Sequence, residues 1–294
     1  MSTTELDGTG PGLDAAPSGF RPTVAFGPRS LPPTGETGPR LLTADGIDLA
    51  TRCWSGRHWP RGVVVIAHGL SATKDDLRVV SLASELHRRG FDVITYDSRG
   101  HGQSGGHCTL GDLERHDVAA AVEWARRRSG RVILVGASMG AVAVLGYAAE
   151  DPDLAGVVAV SSPGEWKLPL RTRSIVTAAL ARTRPGRLFV RWRARVRIAP
   201  WTSPEPPRAL VARVRCPVVV VHGQKDPIIP FGVGLARFVT PGPRVRVVAV
   251  PGMGHAFDPI GHQGICDGVG LLAGPIAPPV SPVSVFGLPE WVIT

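Results

Sequence analysis

The pentapeptide Gly136-Ala137-Ser138-Met139-Gly140 directly follows the apolar run Val132–Val135 and opens a stretch rich in small residues. A serine on so sharp a turn from strand to helix is held in a strained backbone conformation, with its hydroxyl projected clear of the sheet. Glycines on either side keep side chains from colliding with the neighbouring strand and helix. The helix N-terminus behind the serine favours negative charge developing nearby. That is the equipment of a nucleophile aimed at a carbonyl carbon.

Other chemistries are poorly supplied. Gly100-x-Gly102-x-x-Gly105 matches the spacing of a dinucleotide-binding fingerprint. That reading needs a glycine straight after the strand, a helix starting inside the motif and an acid ending the next strand. Here Ser98 and Arg99 intervene, Gly106 and His107 prolong the loop, and Asp117 falls within a predicted helix. There is no GxxxxGK[ST] phosphate loop. Cys53, Cys108, Cys216 and Cys266 lie far apart, without CxxC or a histidine at metal-ligand spacing, so each reads as a buried or loop thiol. No metal and no cofactor is expected.

The elements that must hold Ser138 follow a regular rhythm. Short β-branched runs recur at Val63–Ala67, Asp92–Tyr96, Val132–Val135, Val157–Val160, Pro217–Val221 and Val245–Val250. Runs apolar on both faces suit a buried parallel sheet. Helical patterns separate them: Asp75 to Arg89 before Gly90, Leu113 to Arg128 before Gly130, and Met139 to Glu150 before Pro152. Leu41 to Trp54 reads as a hairpin turned at Asp45-Gly46. Strand and helix alternating in this way predict an α/β fold with helices on both faces of the sheet. At 294 residues, 43% of them hydrophobic, the chain suits one large domain with a full core.

Four further motifs follow strands. They are His68-Gly69-Leu70 after Val63–Ala67, Asp97-Ser98-Arg99-Gly100-His101-Gly102-Gln103-Ser104 after Asp92–Tyr96, His222-Gly223-Gln224-Lys225-Asp226 at the end of Pro217–Val221, and Gly252-Met253-Gly254-His255 after Val245–Val250. With the serine pentapeptide, these five in this order resemble the α/β-hydrolase superfamily, and within it the small esterase, lipase and peptidase-like branch. The resemblance spans about residues 40 to 273, omits both tails and is weak over 162–216. It implies the α/β-hydrolase fold, with a mostly parallel central sheet and a short arginine-rich lid insertion.

The resemblance also implies roles. Ser138 is the nucleophile. His255 is the base that takes its proton, and Asp226 accepts the other imidazole N–H and fixes the tautomer. The backbone N–H groups of Leu70 and Met139 form the oxyanion hole. Glu165 is a second choice for the acid, and Asp258 lies close to His255 in sequence. His68, His101 and His222 are expected to be structural. The implied reaction is cleavage of a carboxylic ester of a small-molecule acyl substrate, of the carboxylesterase or lysophospholipase-like kind, through an acyl-enzyme. Thioester and amide or peptide cleavage share the same triad and stay open, as does a non-catalytic, hydrolase-like binding protein.

The charge is localised. The net charge is +9, yet from Trp166 to Pro204 there is no acidic residue among Lys167 and nine arginines: Arg171, Arg173, Arg182, Arg184, Arg187, Arg191, Arg193, Arg195 and Arg197. Outside this segment the chain is about neutral. Over Arg191–Ile198 arginine alternates with Trp192, Ala194, Val196 and Ile198, which as a strand separates a basic from an apolar face and as a helix does not. Three readings stand for this lid, taken as about 162–216. They are a solvated basic face, a site for substrates carrying phosphate or carboxylate, and docking on an anionic lipid surface. No zinc finger, helix-turn-helix or stacking signature accompanies the arginines, so nucleic acid is not an expected partner.

The ends read differently from the middle. Residues 1–38 are rich in Pro and Gly and are expected to be a disordered arm, with the hydrolase domain over 39–274 and a Pro-rich tail over 275–294. Met1 to Gly12 has neither a basic start nor an apolar stretch, and no uninterrupted apolar run reaches the ~18 residues of a membrane span, so the expected location is cytoplasmic.

Overall fold

Valine-rich runs fully buried on both faces leave little choice of environment: each must lie inside a sheet covered on either side. The computed structural model describes residues 35–56, 60–166 and 183–275. The arm through residue 34, the stretch 167–182 of the lid and the tail from 276 lie outside the described residues. Within them the strands are β1 (Glu36–Thr37), β2 (Leu41–Leu42), β3 (Asp48–Leu49), β4 (Thr51–Trp54), β5 (Val63–Ala67), β6 (Asp92–Tyr96), β7 (Val132–Ala137), β8 (Gly156–Val160), β9 (Val218–Gly223) and β10 (Val245–Val250). The helices are α1 (Leu77–Arg88), α2 (Glu114–Arg126), α3 (Met139–Ala148), α4 (Arg184–Ala194), α5 (Pro207–Arg213) and α6 (His262–Ala273).

The main sheet runs β1-β4-β6-β5-β7-β8-β9-β10. From β6 onward every pairing is parallel, while β1 and β4 add antiparallel strands at one edge. The residues of each parallel strand divide between two cores with the strict alternation of a strand. Val63, Val65, Val132, Leu134, Val157, Ala159, Val218 and Val220 join α2, α3 and α5 on one face. Val64, Ile66, Ile133, Val135, Val158, Val160, Val219 and Val221 join α1 and α6 on the other. This is the α/β-hydrolase architecture, a mostly parallel sheet with helices on both faces. Among the described residues no helix is long and apolar enough to cross a membrane.

Three sequence expectations need adjustment. The hairpin is shorter than Leu41–Trp54. β2 pairs with β3 around a turn at Gly46 (φ 80°), while β4 leaves the hairpin to pair with β6. The boundary of the arm at residue 38 falls too late, because β1 already pairs with β4. Such a short edge addition rests on backbone hydrogen bonds, which need no apolar side chains. In the lid the alternating segment is helix first and extended chain second. α4 ends at Ala194, Arg195 turns left-handed (φ 55°), and Ile198 then forms a parallel bridge with Cys108.

Candidate active site

Ser138 sits between β7 and α3 with φ 54° and ψ −111°, outside the regions a side chain favours. The surroundings impose this. A Cβ on Gly140 would lie 2.6 Å from the His68 carbonyl oxygen, and one on Gly136 2.6 Å from the Gly140 carbonyl carbon, so only glycine permits strand and helix to approach so closely. The Ser138 N–H donates to the Val160 carbonyl at 2.9 Å, locking the turn to β8, and the residue itself stays partly exposed.

Two neighbouring strands deliver the partners. Asp226 follows β9 and His255 follows β10, at the same C-terminal rim of the parallel sheet as Ser138 after β7. His255 Nδ1 donates to Asp226, at 2.8 Å from Oδ2 and 3.0 Å from Oδ1. The Asp226 side chain is fully buried, and its Oδ1 also accepts from the N–H groups of Ile228 (2.9 Å) and Ile229 (2.8 Å). Burial works to raise the Asp226 pKa, but the His255 contact and these backbone donors outweigh it and hold the carboxyl below its ordinary range. It therefore stays ionised, fit to orient an imidazole. The two turns are stitched together, Gln224 N–H to Val250 O at 3.1 Å and Lys225 N–H to Met253 O at 3.1 Å.

The turn after β5 comes up beside the serine. A Cβ on Gly69 would lie 3.4 Å from Ser138 Cβ, which brings the turn that carries Leu70 up against Ser138. His68, buried beneath, donates from Nδ1 to Gly69 O (2.8 Å) and accepts at Nε2 from Ser98 N–H (3.0 Å). It shapes the loop and carries no proton to the site. Leu70 and Met139 also touch one small cluster formed by Cys108, Val190, Val196 and Ile198, so α4 and the extended chain after it pack directly on residues beside Ser138. Among the described residues, neither the Leu70 nor the Met139 N–H donates a hydrogen bond.

The remaining candidates lie elsewhere. Glu165 is paired with Arg208 on the lid side. Asp258 accepts from Gly254 N–H (3.1 Å) and Ile260 N–H (2.9 Å), bracing the turn that carries His255. His222 donates to Ile229 O at 2.9 Å and lies 3.8 Å from Asp226, closing the acid from behind. No hydrogen bond joins Ser138 Oγ to the His255 ring among the described residues; the ring's hydrogen bonds run to Asp226.

Two supporting residues escaped the sequence reading. Ser161, fully buried with φ 47°, accepts from Ala256 N–H at 3.1 Å, fastening the residue after His255 to the end of β8. The clue was its place just past a core strand, on the rim where the motifs gather. Lys74 is also buried, bonding Asp97 (3.2 Å), Asp75 (2.8 Å) and Gln103 (3.0 Å), while Asp97 accepts from the N–H groups of Lys74 (2.8 Å) and Gln103 (2.9 Å). This pair ties the loop after β5 to the loop after β6. A lone lysine in a polar turn gives no sequence sign of burial.

Comparison with known proteins agrees with this architecture. The family described as serine aminopeptidase, S33, matches residues 58–209, just over half of the chain. An uncharacterised protein of Mycobacterium tuberculosis (strain ATCC 25618 / H37Rv) is 30% identical over 220 residues, covering 72% of this chain and 70% of its own length. A monoacylglycerol lipase of Mycolicibacterium smegmatis is 31% identical over 127 residues, covering 40% of this chain and 43% of the lipase. Among solved structures, an esterase of Pyrococcus furiosus superposes with a TM-score of 0.62 at 19% identity, covering 82% of this chain and 92% of that one. With the elbow, the ordered motifs and the sheet topology, these matches show that the chain belongs to the serine aminopeptidase S33 family of α/β-hydrolases.

Proposed function

We propose that the chain hydrolyses carboxylic esters through an acyl-enzyme on Ser138, with His255 as general base and Asp226 as its orienting acid. The observation that carries this reading is the hydrogen-bonded Asp226–His255 pair at the same sheet rim as a serine on a strained elbow. In the reaction, Ser138 Oγ attacks the acyl carbon as His255 Nε2 removes its proton. The carbonyl electrons pass to an oxyanion held by the Leu70 and Met139 N–H groups. Collapse expels the alcohol, which takes the proton back from His255, and leaves the acyl group on Ser138. Water, activated by the same imidazole, then releases the acid and regenerates the serine. The Ser138–His255 hydrogen bond forms when substrate enters, since catalytic hydrogen bonds are often long or poorly aligned before then.

Relatives named as esterase and lipase support ester over amide chemistry. So does the lid. An aminopeptidase must receive a substrate's free amine, and a segment with ten cations and no carboxylate from 166 to 204 repels one. Fluorophosphonate labelling of the intact protein and of Ser138→Ala tests the proposal. Labelling should vanish in the variant, and kcat on a short p-nitrophenyl ester should fall by on the order of 10⁴ or more. Retained labelling or turnover in a folded variant places the chemistry elsewhere. No labelling of the wild-type chain favours a non-catalytic binding protein.

A further inference from the structure

Beside the cluster that joins the lid to Met139 lies a cavity of about 280 Å³, lined by Arg184, Arg187, Arg191 and Arg197 with His107 and Ile198. The first three arginines project from one side of α4 at spacings of three and four, the geometry that groups helical side chains on a single face. Arg197 comes from the extended chain beyond the helix. Its guanidinium donates to the carbonyls of Ser104 and of Gly106 (3.1 Å), which fix its direction. That chain is anchored too, Cys108 N–H to Arg197 O at 2.7 Å and Ala199 N–H to Cys108 O at 2.8 Å.

The charges around this cavity are unbalanced. Among the described residues Arg184, Arg191 and Arg197 form no ion pair with a carboxylate, and the lid sequence from 166 to 204 offers none. The guanidiniums of Arg184, Arg191 and Arg197 around one concavity repel each other, and an anion seated among them adds an attraction to each. The concavity distinguishes this arrangement from a merely solvated basic face. A planar fork recognises phosphate with paired hydrogen bonds, and a dianion offers more acceptors to the forks of Arg184 and Arg191 than a single carboxylate does. The volume is several times that of one water, enough for a phosphate or diphosphate and part of what bears it.

We infer that this cavity is an anion subsite that takes the phosphate of a phosphorylated acyl ester or thioester whose acyl carbon is delivered to Ser138. The inference rests on the proposed hydrolase reading for its reaction, but not for its binding. Position links the two: Val190 on α4, and Val196 and Ile198 beyond it, pack with Met139, the residue next to the nucleophile, and Leu70 packs on the same cluster. A substrate held by its phosphate at α4 therefore reaches the elbow across one layer of side chains. The exposed Phe189 and Trp192 on the same helix point to a competing partner, an anionic membrane, which recognises a surface rather than a cavity.

The test uses the full chain with sodium pyrophosphate as probe, at constant ionic strength, by calorimetry. The wild-type protein and Ser138→Ala should both bind it saturably. Arg184→Gln/Arg191→Gln should bind at least tenfold more weakly, and Arg78→Gln/Arg237→Gln, which removes the same charge from other exposed positions, should bind as wild type does. In kinetics, the ratio of kcat/KM for a short acyl-coenzyme A over a short p-nitrophenyl ester should fall at least tenfold in the lid variant. Absent pyrophosphate binding, equal binding by the two double variants, or arginine-dependent binding seen only with phosphatidic acid vesicles overturns the inference. Ester turnover without pyrophosphate binding removes the subsite and leaves the hydrolase reading intact. Arginine-dependent binding in a chain with no turnover keeps the subsite and removes the hydrolase.

Discussion

Three residues far apart in sequence carry the proposed chemistry, but their alignment depends on groups that touch no substrate. Ser161 is the clearest of these. Its hydroxyl is the acceptor for the N–H of Ala256, a residue held at φ 59°, so the imidazole of His255 stands on a turn pinned from both sides, by Ser161 and by Asp258. Removing the hydroxyl frees one side of that turn without touching the imidazole or the acid. Ser161→Ala should lower kcat about tenfold with KM nearly unchanged and cost about 1 kcal/mol in stability. Steady-state kinetics on a p-nitrophenyl ester, with urea unfolding alongside, separate the effects. A stability loss with unchanged kcat makes Ser161 structural only. The three residues proposed as a triad could be named from the sequence because each lies in a motif whose residue types and order are distinctive. Ser161 and Lys74 could not, because a serine after a strand or a lysine in a turn has many ordinary uses. Only their burial shows the use made of them here.

At the scale of elements, strands were easier to read than connections. β5 and β6 coincide with the runs seen in sequence because an apolar β-branched stretch has few alternatives in a buried sheet, and β10, at the edge, coincides through its β-branched valines. The lid was harder. Arginine alternating with apolar residues is compatible with either period, and the outcome, a helix followed by a bridged extended segment, is decided by contacts with the loop at 100–108 that no local pattern encodes. Gly100 is the hinge of that contact. It has φ 78°, its carbonyl accepts from Arg197 N–H at 2.9 Å, and a Cβ there would lie 2.6 Å from Arg197 O. Gly46 has nearly the same φ, 80°, but open space where a Cβ would go. Strain alone predicts that Gly46→Ala costs about 1 kcal/mol, whereas Gly100→Ala adds a backbone collision and should cost about 3 kcal/mol or more. Chemical denaturation of the two variants decides it. Equal losses contradict the close packing of lid and loop.

For the molecule as a whole, buried histidines set the response to acid. Burial pushes the His101 pKa down to about 4, and the pKa values of His68, His222 and His262 are also lowered chiefly by burial. Unfolded, such groups take up protons near pH 6.5, while folded they refuse them until well below. Each therefore contributes stability that is complete above about pH 6.5 and is lost as pH falls through the folded value, on the order of 3 kcal/mol for His101. The depressed Asp226 carboxyl works in the same direction at still lower pH. Urea midpoints should fall steadily from pH 7 to 4.5, and His101→Gln should flatten part of that slope. A midpoint constant over this range would show that the histidines become charged without cost in the folded chain.

The strand order carries one more consequence. Ser138 hangs from β7, which has neighbours on both sides, whereas His255 hangs from β10, which closes the row and has β9 alone beside it. A strand half-exposed and bonded on one side only, as β10 is, has fewer buried contacts to hold it and opens at a lower cost than a central one. The proposed base thus stands on the margin of the fold and the proposed nucleophile at its centre, so the pairing that the proposed reaction needs should be lost while the middle of the molecule still holds its shape.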